Sequence, residues 1–435
     1  MNNFFADGLL TKVFSNFNKR KPTIEDATTF RLDKVSCEGL YHSSRIIQKA
    51  TNERPYNAVM KSPIVQFGDK GFNPSDVASE LKNQKVLTAF RDAGQYGLLY
   101  NDGHIILGIN DGRDYWEPVD TNKIQSIDWL DVKSGHYLYQ TGTNLDYYQL
   151  ATDSTRAIPN REGDKKITNI IIHKDRILRI PGVRLPSEML SSNGYHNDSI
   201  IQAMFTEFTN YIGSCAMGAS MLKSHSIFKY KLQDLVQLTV QQDKQALIDR
   251  FESILMGLDS LGGLIMDADR EDAEFVHRNY SGVDTLLTHL QEVLIAASDM
   301  PRSKLLGSSN SSAFSEGGLS DRYEWANKID SYQRNYFLSE LERYLTYLFL
   351  SKTGPTRGVL PDSWEVSFPT ILQLTEKEKS ELMRIDADTF QKHLEMGTLT
   401  QQEIRMACWG GSTYSNQITL MDGTKDSLLI NGVGR

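Results

Sequence analysis

The side chains that could carry out chemistry in this sequence are scattered. Carboxylates stand two residues apart at Asp267 and Asp269 and again at Asp269 and Glu271, a spacing that could support general acid–base catalysis. Such pairs are more often solvated charges at a strand edge. The passage HSS at residues 42–44 fits one H-x-[ST] signature of a two-histidine phosphoesterase, but that chemistry needs a pair of signatures. Neither feature indicates an active site.

No motif for a nucleotide, a metal or a catalytic nucleophile is present. The sequence lacks G-x-x-x-x-G-K-[ST], G-x-G-x-x-G after a strand, H-E-x-x-H, C-x-x-C and G-x-S-x-G. Its nine histidines stand singly. The passage NDGHIILGINDGRD is superficially similar to a calcium loop, but it lacks the terminal glutamate, and hairpin turns explain it better. The sequence therefore predicts no catalytic residues, no metal, no cofactor and no enzymatic activity.

The composition excludes a protein that grips nucleic acid through many phosphate contacts. The 435 residues include 47 basic and 55 acidic side chains, for a formal charge of −8, and 40% are hydrophobic. Strong binding to phosphates needs clustered positive charge. A protein that surrounds DNA without holding it remains compatible with these numbers. The three cysteines (Cys37, Cys215 and Cys408) are far apart and predict no disulfide framework, which fits assembly in a reducing compartment.

The N-terminal residues 1–40 contain one amphipathic helical pattern. They show no continuous apolar stretch of a secretory signal, and no segment of the sequence reaches the length of a membrane span. Two interpretations stay open for this segment: a helix on a membrane surface, and an arm packed on a neighbouring subunit, which is favoured. Its apolar face is formed by Phe4, Phe5, Leu9, Leu10, Val13, Phe14 and Phe17.

Residues 41–196 predict a mixed α/β region. Helical periodicity is found around residues 40–48 and 79–96. The tripeptides Asn-Asp-Gly at residues 101–103 and 110–112 are turn signals on either side of a short strand at residues 104–109. Further strands are predicted at residues 125–132, 135–140, 145–150 and 168–173.

Residues 197–222 predict a long helix, with Asn197 or Asp198 as its N-cap. Small residues crowd its second half, and small side chains let helices approach closely. We expect a tight helix contact there, although a buried helix of a large monomer would give the same pattern. The residues expected at this contact are Gly213, Ala216, Gly218 and Ser220.

A small module separates this helix from a second one. Residues 223–280 read as strand, helix at 241–255, and two further strands, and residues 281–299 are again helical. Pro301 ends that helix, because the residue before a proline avoids helical geometry. Two long helices therefore bracket a compact α/β module.

Residues 300–319 form a Ser/Gly-rich stretch with two basic side chains, Arg302 and Lys304. A long helix follows from residue 321 to 350, with Asp321 as N-cap and Glu324 as its N3 partner. Residues 320–374 thus hold a long helix and a return strand. Residues 375–435 hold two shorter helices, the first ended by Gly397, and a Gly/Ser/Asn-rich tail.

The sequence resembles the portal proteins of tailed bacteriophages. The resemblance rests on the passages FRDAGQYGLLYNDGHIILGINDGRDYWEPVD, RLPSEMLSSNGYHNDSI, NYSGVDTLLTHLQEVLIAASDMPRSKLLGSSNSSAFSEGGLSDRYEWANKIDSYQRNYF and SFPTILQLTEKEKSELMRIDADTFQKHLEMGTLTQQEIR, which occur in the family's order. It implies an α+β portal fold assembled as a ring. The implied parts are an N-terminal arm (1–40), a mixed α/β wing (41–196 and 320–374), two stem helices (197–222 and 281–299), a clip (223–280), a tunnel loop (300–319), and a helical crown with a C-terminal tail (375–435).

The resemblance also implies a function. The chain would form a ring of about twelve subunits at one capsid vertex, a channel through which double-stranded DNA is packaged and ejected. Its implied partners are the terminase, a head–tail adaptor, and the major capsid and scaffolding proteins. No membrane partner is implied. It would assemble in the host cytoplasm and reside in the virion. The alternatives are another conduit protein of a virion, or a phage hydrolase acting on nucleotides. The residues expected to face DNA transiently are Arg302, Lys304, Ser308, Ser309, Asn310, Ser311 and Ser312.

Overall fold

The computed structural model divides the chain into two compact units, Met1–Ile371 and Leu372–Arg435. The residues that it describes are 31–68, 71–140, 146–150, 171–223, 226–232, 249, 252–254, 271–277, 282–307, 316–372, 376–398, 400–401 and 404. Most of the predicted N-terminal arm and of the C-terminal tail lie outside these residues.

Two helices, not one, occupy the first predicted helical region. α1 (Lys34–Ser43) and α2 (Arg45–Ala58) are separated at Ser44, whose backbone is extended. Asp33 caps α1 by accepting a hydrogen bond from the Ser36 amide, and the Ser44 hydroxyl accepts one from the Ile47 amide. The break arises because a serine side chain at an N-cap satisfies backbone donors that the start of a helix leaves free.

The second predicted helical region is also divided. α3 (Pro74–Asn83) and α4 (Val86–Leu99) meet at Lys85, which has a left-handed backbone with φ of 54°. Near them, β1 (Ile64–Phe67) pairs antiparallel with β10 (Trp364–Ser367). β10 is the return strand expected within residues 320–374.

The central sheet consists of β2 (Asp102–Asn110), β3 (Ser126–Ser134) and β7 (Ile177–Pro181), of which β7 was not predicted. The strands are antiparallel and lie in the order β3–β2–β7. The predicted turn at residues 101–103 is wrong, since Gly103 pairs with Ile180 inside the sheet. Gly103 is needed where β2 crosses α4, because an added Cβ would lie 1.8 Å from the carbonyl oxygen of Ala93.

A second three-stranded sheet completes the core of this region. β4 (Leu138–Gln140), β5 (Tyr147–Leu150) and β6 (Ile171–His173) are antiparallel neighbours in that order, and each lies within a predicted strand, although residues 145 and 168–170 of these predictions lie outside the described residues. A 3₁₀ turn (Lys174–Arg176) leads into β7, and the short helix α5 (Ser187–Ser192) follows it. One buried apolar cluster joins the two sheets: Ile106, Leu138, Tyr148, Leu150, Ile172 and Ile177.

Two long helices, α6 (Ile200–Lys223) and α7 (Val283–Ser298), pack against each other as a helical hairpin. Between them in the chain, β8 (Ser226–Leu232) pairs antiparallel with β9 (Glu271–His277). β8 has the predicted bounds. Of the predicted helix at 241–255, only residues 249 and 252–254 are described, and these are helical.

A short helix, α8 (Arg302–Leu305), follows α7, and a long interrupted helix comes next. The latter consists of α9 (Glu316–Tyr332), a π turn (Gln333–Phe337) and α10 (Leu338–Leu350). The predicted N-cap at Asp321 is wrong, because residues 316–320 are already helical. A glycine inside a helix costs only about 1 kcal/mol, so Gly317 and Gly318 do not prevent this extension.

The second unit contains α11 (Glu376–Glu395), and Gly397 follows its end with φ of +68°, as predicted. The next predicted helix lies largely outside the described residues. Within the described ranges, no helix has the length and apolarity needed to cross a membrane. These same ranges contain no cluster of three or more His, Cys, Asp or Glu side chains arranged to hold a metal ion.

Candidate functional site

The two basic residues predicted to face DNA lie at the end of the hairpin. Arg302 is exposed, and its Nη2 donates to Gln291 Oε1 at 3.2 Å. Gln291 Nε2 in turn donates to the Tyr211 hydroxyl on α6 at 3.1 Å. Lys304 Nζ lies 5.9 Å from the centre of the Trp325 ring, within cation–π range. Ser308, Ser309, Asn310, Ser311 and Ser312 lie outside the described residues.

The predicted small residues of α6 point in two directions. Gly218 faces α7, where a Cβ added to it would lie 4.0 Å from Leu287 Cδ1, an ordinary contact. Ala216 and Ser220 are exposed, and Gly213 is half-buried. Met217 and Met221 are also exposed. The residues at 213, 216, 217, 220 and 221 have the spacing i, i+3, i+4, i+7, i+8, which places them on one helix face. A tight contact at Gly213, Ala216 and Ser220 stays a prediction.

α6 begins at a cap that differs from the predicted one. The Ser199 hydroxyl accepts a hydrogen bond from the Gln202 amide at 3.0 Å, so Ser199 is the N-cap. Asn197 and Asp198 are occupied elsewhere. Asn197 donates from its side chain to Asp102 Oδ1 at 2.8 Å, and Asp198 Oδ1 accepts from Arg31 Nη1 at 2.7 Å.

The partner of Asn197, Asp102 on β2, is a fully buried carboxylate. Arg179 on β7 binds it with two hydrogen bonds of 3.1 and 3.0 Å, and His196 Nδ1 lies 3.2 Å from its Oδ2. Burial alone would raise the pKa of Asp102. The hydrogen bond to His196 and the charge of Arg179 outweigh burial and lower that pKa to about 2. Asp102 is therefore ionised, and it fixes the entry of α6 to the central sheet.

A second buried charge fixes the exit of α7. Arg54, on α2, donates from Nη2 to the carbonyl oxygens of Ser298 at 2.6 Å and Asp299 at 2.9 Å. A cation at the carboxyl end of a helix is favourable, because the free carbonyl groups there carry partial negative charge. Lys328, on α9, binds the other side of Asp299 through Oδ1. Lys49 of α2 also donates to the Leu305 carbonyl at 3.1 Å.

Hydrogen bonds of two buried charged groups, Asp102 and Arg54, therefore join the start of α6 and the end of α7 to the sheet and helices beside them. Sequence reasoning missed Asp102 and Arg54. Their partners are distant in the chain: Arg179 lies 77 residues from Asp102, and Ser298 lies 244 residues from Arg54. The local signal at Asp102, an aspartate directly before an apolar strand, predicts a turn instead.

The catalytic alternatives gain no geometric support from the described residues. His42 is exposed and its ring lies 6.1 Å from that of Tyr41. Asp267 and Asp269 lie outside the described residues.

The family model for phage portal proteins matches residues 35–392, and this chain belongs to that family. It is thus a structural portal, or connector, protein of a virion. The chain has the same fold as the neck protein of an empty gene transfer agent particle, with 12% identity, a TM-score of 0.50, and coverage of 85% of this chain and 92% of that one. At this identity the similarity shows the fold alone.

Two further solved structures are similar over most of their length. One comes from the neck of a native gene transfer agent particle, with 13% identity, a TM-score of 0.48, and coverage of 86% of this chain and 93% of that one. The other is an HK97-family phage portal protein from Corynebacterium diphtheriae, with 8% identity, a TM-score of 0.35, and coverage of 78% and 94%. No curated protein is similar enough in sequence to count as a relative.

Proposed function

We propose that the chain forms a closed ring of about twelve subunits at one capsid vertex, with α6 and α7 as stem helices around a central channel. Residues 41–196 and 320–374 would be the wing, 223–280 the clip, 300–319 the tunnel loop, and 375–435 the crown and tail. Residues 1–40 would be an arm on a neighbouring subunit. The observation that carries this proposal is the hairpin itself, which leaves apolar side chains exposed while the start of α6 and the end of α7 are held by buried charges.

The uncovered side chains lie on both helices of the hairpin. Met217 and Met221 on α6 are 61% and 41% exposed, and Leu286 and Val293 on α7 are 56% and 39% exposed. A contiguous exposed apolar surface on a folded protein is typical of an interaction site. In a cyclic ring each subunit offers one face to the neighbour on one side and a different face to the neighbour on the other. We assign the α6 face and the α7 face to these two contacts.

Double-stranded DNA would pass through the channel without being held. The net charge of −8 supports this, since each neutralised phosphate adds to affinity and would slow translocation. Arg302 and Lys304 already contact Gln291 and Trp325, so their contacts with phosphate would be transient. Ser308, Ser309, Asn310, Ser311 and Ser312 would supply polar side chains without base recognition.

The remaining partners would bind outside the channel. The module of β8 and β9 would dock the terminase during packaging and a head–tail adaptor afterwards. Its cross-strand ion pairs, Lys229 with Glu274 and Lys231 with Asp272, present charge to solvent. The major capsid and scaffolding proteins would surround the wing, and assembly would take place in the host cytoplasm. The family is structural, and we propose that the chain has no enzymatic activity and needs no cofactor.

The ring is tested by the oligomeric state of the purified protein. We expect mass photometry and electron microscopy to reveal closed rings, and the double variant Met217→Glu/Met221→Glu to remain monomeric. Met189→Glu is the control, because Met189 is 50% exposed on α5, outside the hairpin. Rings that form equally well in the double variant would refute the assignment of the α6 face. A wild-type protein that stays monomeric at high concentration would refute the ring.

A further inference from the structure

The long helix that follows α8 is interrupted by a π turn at Gln333–Phe337. The sequence predicts one uninterrupted helix here, since the apolar residues continue at helical spacing on both sides. A π turn inserts an extra residue, disturbs the regular hydrogen bonding, and is found disproportionately at functional positions. It persists when contacts from outside the helix compensate for the disturbance.

Two side-chain contacts provide that compensation. Gln333 Nε2 donates to the carbonyl oxygen of Ala58, the last residue of α2, at 2.7 Å in a buried position. Arg184 Nη2 donates to the carbonyl oxygen of Asn335, inside the π turn, at 2.5 Å. The Arg184 guanidinium also lies 4.9 Å from the centre of the Tyr336 ring. Arg184 belongs to the segment between β7 and α6, so the chain that enters the hairpin holds the π turn.

The chain that leaves the hairpin touches the same helix on the other side of the π turn. Asp299, directly after α7, binds Lys328, which precedes Gln333 by five residues. Lys328 also lies 3.5 Å from Glu324, an i, i+4 pair on the same helix. α9 is thus connected to the exit of the hairpin, and the π turn to its entry.

The two halves of the long helix differ in whether their buried aromatic side chains with polar atoms have hydrogen-bond partners. In α10, Tyr344 is fully buried and its hydroxyl donates to Gln84 Oε1 at 2.6 Å. In α9 and at its end, Trp325 Nε1 and the Tyr332 hydroxyl are buried without a hydrogen-bond partner among the described residues. An unsatisfied buried donor destabilises the arrangement that contains it. An orientation of α9 that gave these two donors partners would gain hydrogen bonds that the present orientation lacks.

We propose that the π turn at Gln333–Phe337 is a joint that couples the orientation of α9 to the position of the helical hairpin. Arg184 holds the joint from the entry of the hairpin, and the contact of Asp299 with Lys328 transmits movement from its exit. α10 stays fixed in the core while α9 turns. The joint is independent of the proposed function, and only its use, to relay a movement of the stem towards the channel, rests on that function.

The test is hydrogen exchange of the full chain, comparing Arg184→Gln with Arg334→Gln. Losing Arg184 removes a charged hydrogen bond from the π turn, and we expect amides of residues 331–341 to exchange about tenfold faster. We expect amide exchange to become faster also in the last turn of α7, residues 294–298. Arg334 makes an exposed pair with Asp330 at 3.0 Å, so its loss should change exchange less than about twofold. An increase confined to residues 331–341, or an equal response to both variants, would overturn the joint.

A double-mutant cycle isolates the coupling. Lys328→Met removes the contact with Asp299, after which Arg184→Gln should no longer alter exchange at residues 294–298. Additive effects in the double variant would contradict transmission through this contact. Circular dichroism checks that each variant is folded. Because exchange is read on the chain whether or not it forms rings, a failure of the proposed ring, seen by mass photometry, is distinguished from a failure of the joint.

Discussion

Arg54 Nη2 donates to the carbonyl oxygen of Ser298 at 2.6 Å, joining the buried face of α2 to the last residue of α7. The same nitrogen lies 3.4 Å from Asp299 Oδ2. At the same end of the hairpin, Asp102 plays the complementary part for α6, with a buried negative charge that binds the segment entering this helix. One buried cation and one buried anion thus act where the two helices are also held by buried apolar side chains, among them Ile201 and Phe205 of α6 and Leu294 of α7.

Arg54→Gln should destabilise the protein by about 2–4 kcal/mol, because it leaves the buried Ser298 carbonyl without its charged donor. The measurement is urea denaturation followed by circular dichroism. Arg45→Gln is the matched control on the same helix, since Arg45 is exposed and its guanidinium donates to the nearby Gln48 Oε1 at 2.8 Å. We expect its effect to stay below about 0.5 kcal/mol. Equal losses for both variants would show that Arg54 does not anchor α7.

The lowered pKa of Asp102 predicts a loss of stability in acid. A carboxyl group with a folded-state pKa of about 2 and an ordinary value of 3.8 binds fewer protons in the folded protein than in the unfolded one. Its contribution is therefore complete above pH 3.8 and is lost as the pH falls towards 2. The difference between the two pKa values corresponds to about 2 kcal/mol.

Asp102→Asn isolates this contribution from those of other carboxyl groups. We expect the variant to be less stable than the wild type at pH 6, and the gap between them to narrow by about 2 kcal/mol between pH 4 and pH 2. Urea denaturation at a series of pH values measures the gap. A gap that stays constant over that range would mean that Asp102 is not held ionised by His196 and Arg179.

The lowered pKa of His104 predicts a second loss of stability, which begins at a higher pH than the loss expected from Asp102. Burial is the main cause that lowers the pKa of His104, to about 3, from an ordinary value of 6.5. The unfolded chain therefore binds a proton that the folded protein rejects, and stability declines as the pH falls from 6.5 towards 3. His104→Phe should flatten this part of the curve, while keeping a ring beside Tyr148, whose centre lies 5.3 Å away. An unchanged slope in the variant would exclude His104 as its cause.

Gly103→Ala should prevent normal packing of β2 on α4. Its Cβ would lie 1.8 Å from the Ala93 carbonyl oxygen, a backbone atom that cannot move aside without shifting α4. We expect a loss of more than about 3 kcal/mol or insoluble protein, seen by thermal denaturation and by solubility on expression. Gly71→Ala is the control, because an added Cβ there meets no atom within 4 Å. A well-folded Gly103→Ala variant would require β2 to lie farther from α4.

Local sequence patterns were enough to predict most helices and strands, whereas the contacts that form the candidate site join residues far apart in the chain. The spacing of Phe205, Phe208 and Ile212 was enough to predict α6, and the passage SIFKYKL was enough to predict β8. The π turn could not be predicted, because it depends on Gln333 meeting Ala58, 275 residues away, and on Arg184 meeting Asn335, 151 residues away. Asp102 was misread for the same reason, since a turn signal is local and a buried ion pair is not.

The last prediction separates two roles for Arg302. Its contact with Gln291 is exposed, so Arg302→Gln should reduce stability by at most about 0.5 kcal/mol. If the proposed channel is correct, the same variant should package less DNA into nuclease-resistant particles, because it removes a positive charge where the polar stretch begins. Lys123→Gln makes the same charge change at a 70% exposed side chain on the β2–β3 connection and should package normally. If both variants package DNA equally well and only Arg302→Gln loses stability, the role of Arg302 is to join α8 to α7 and not to contact DNA.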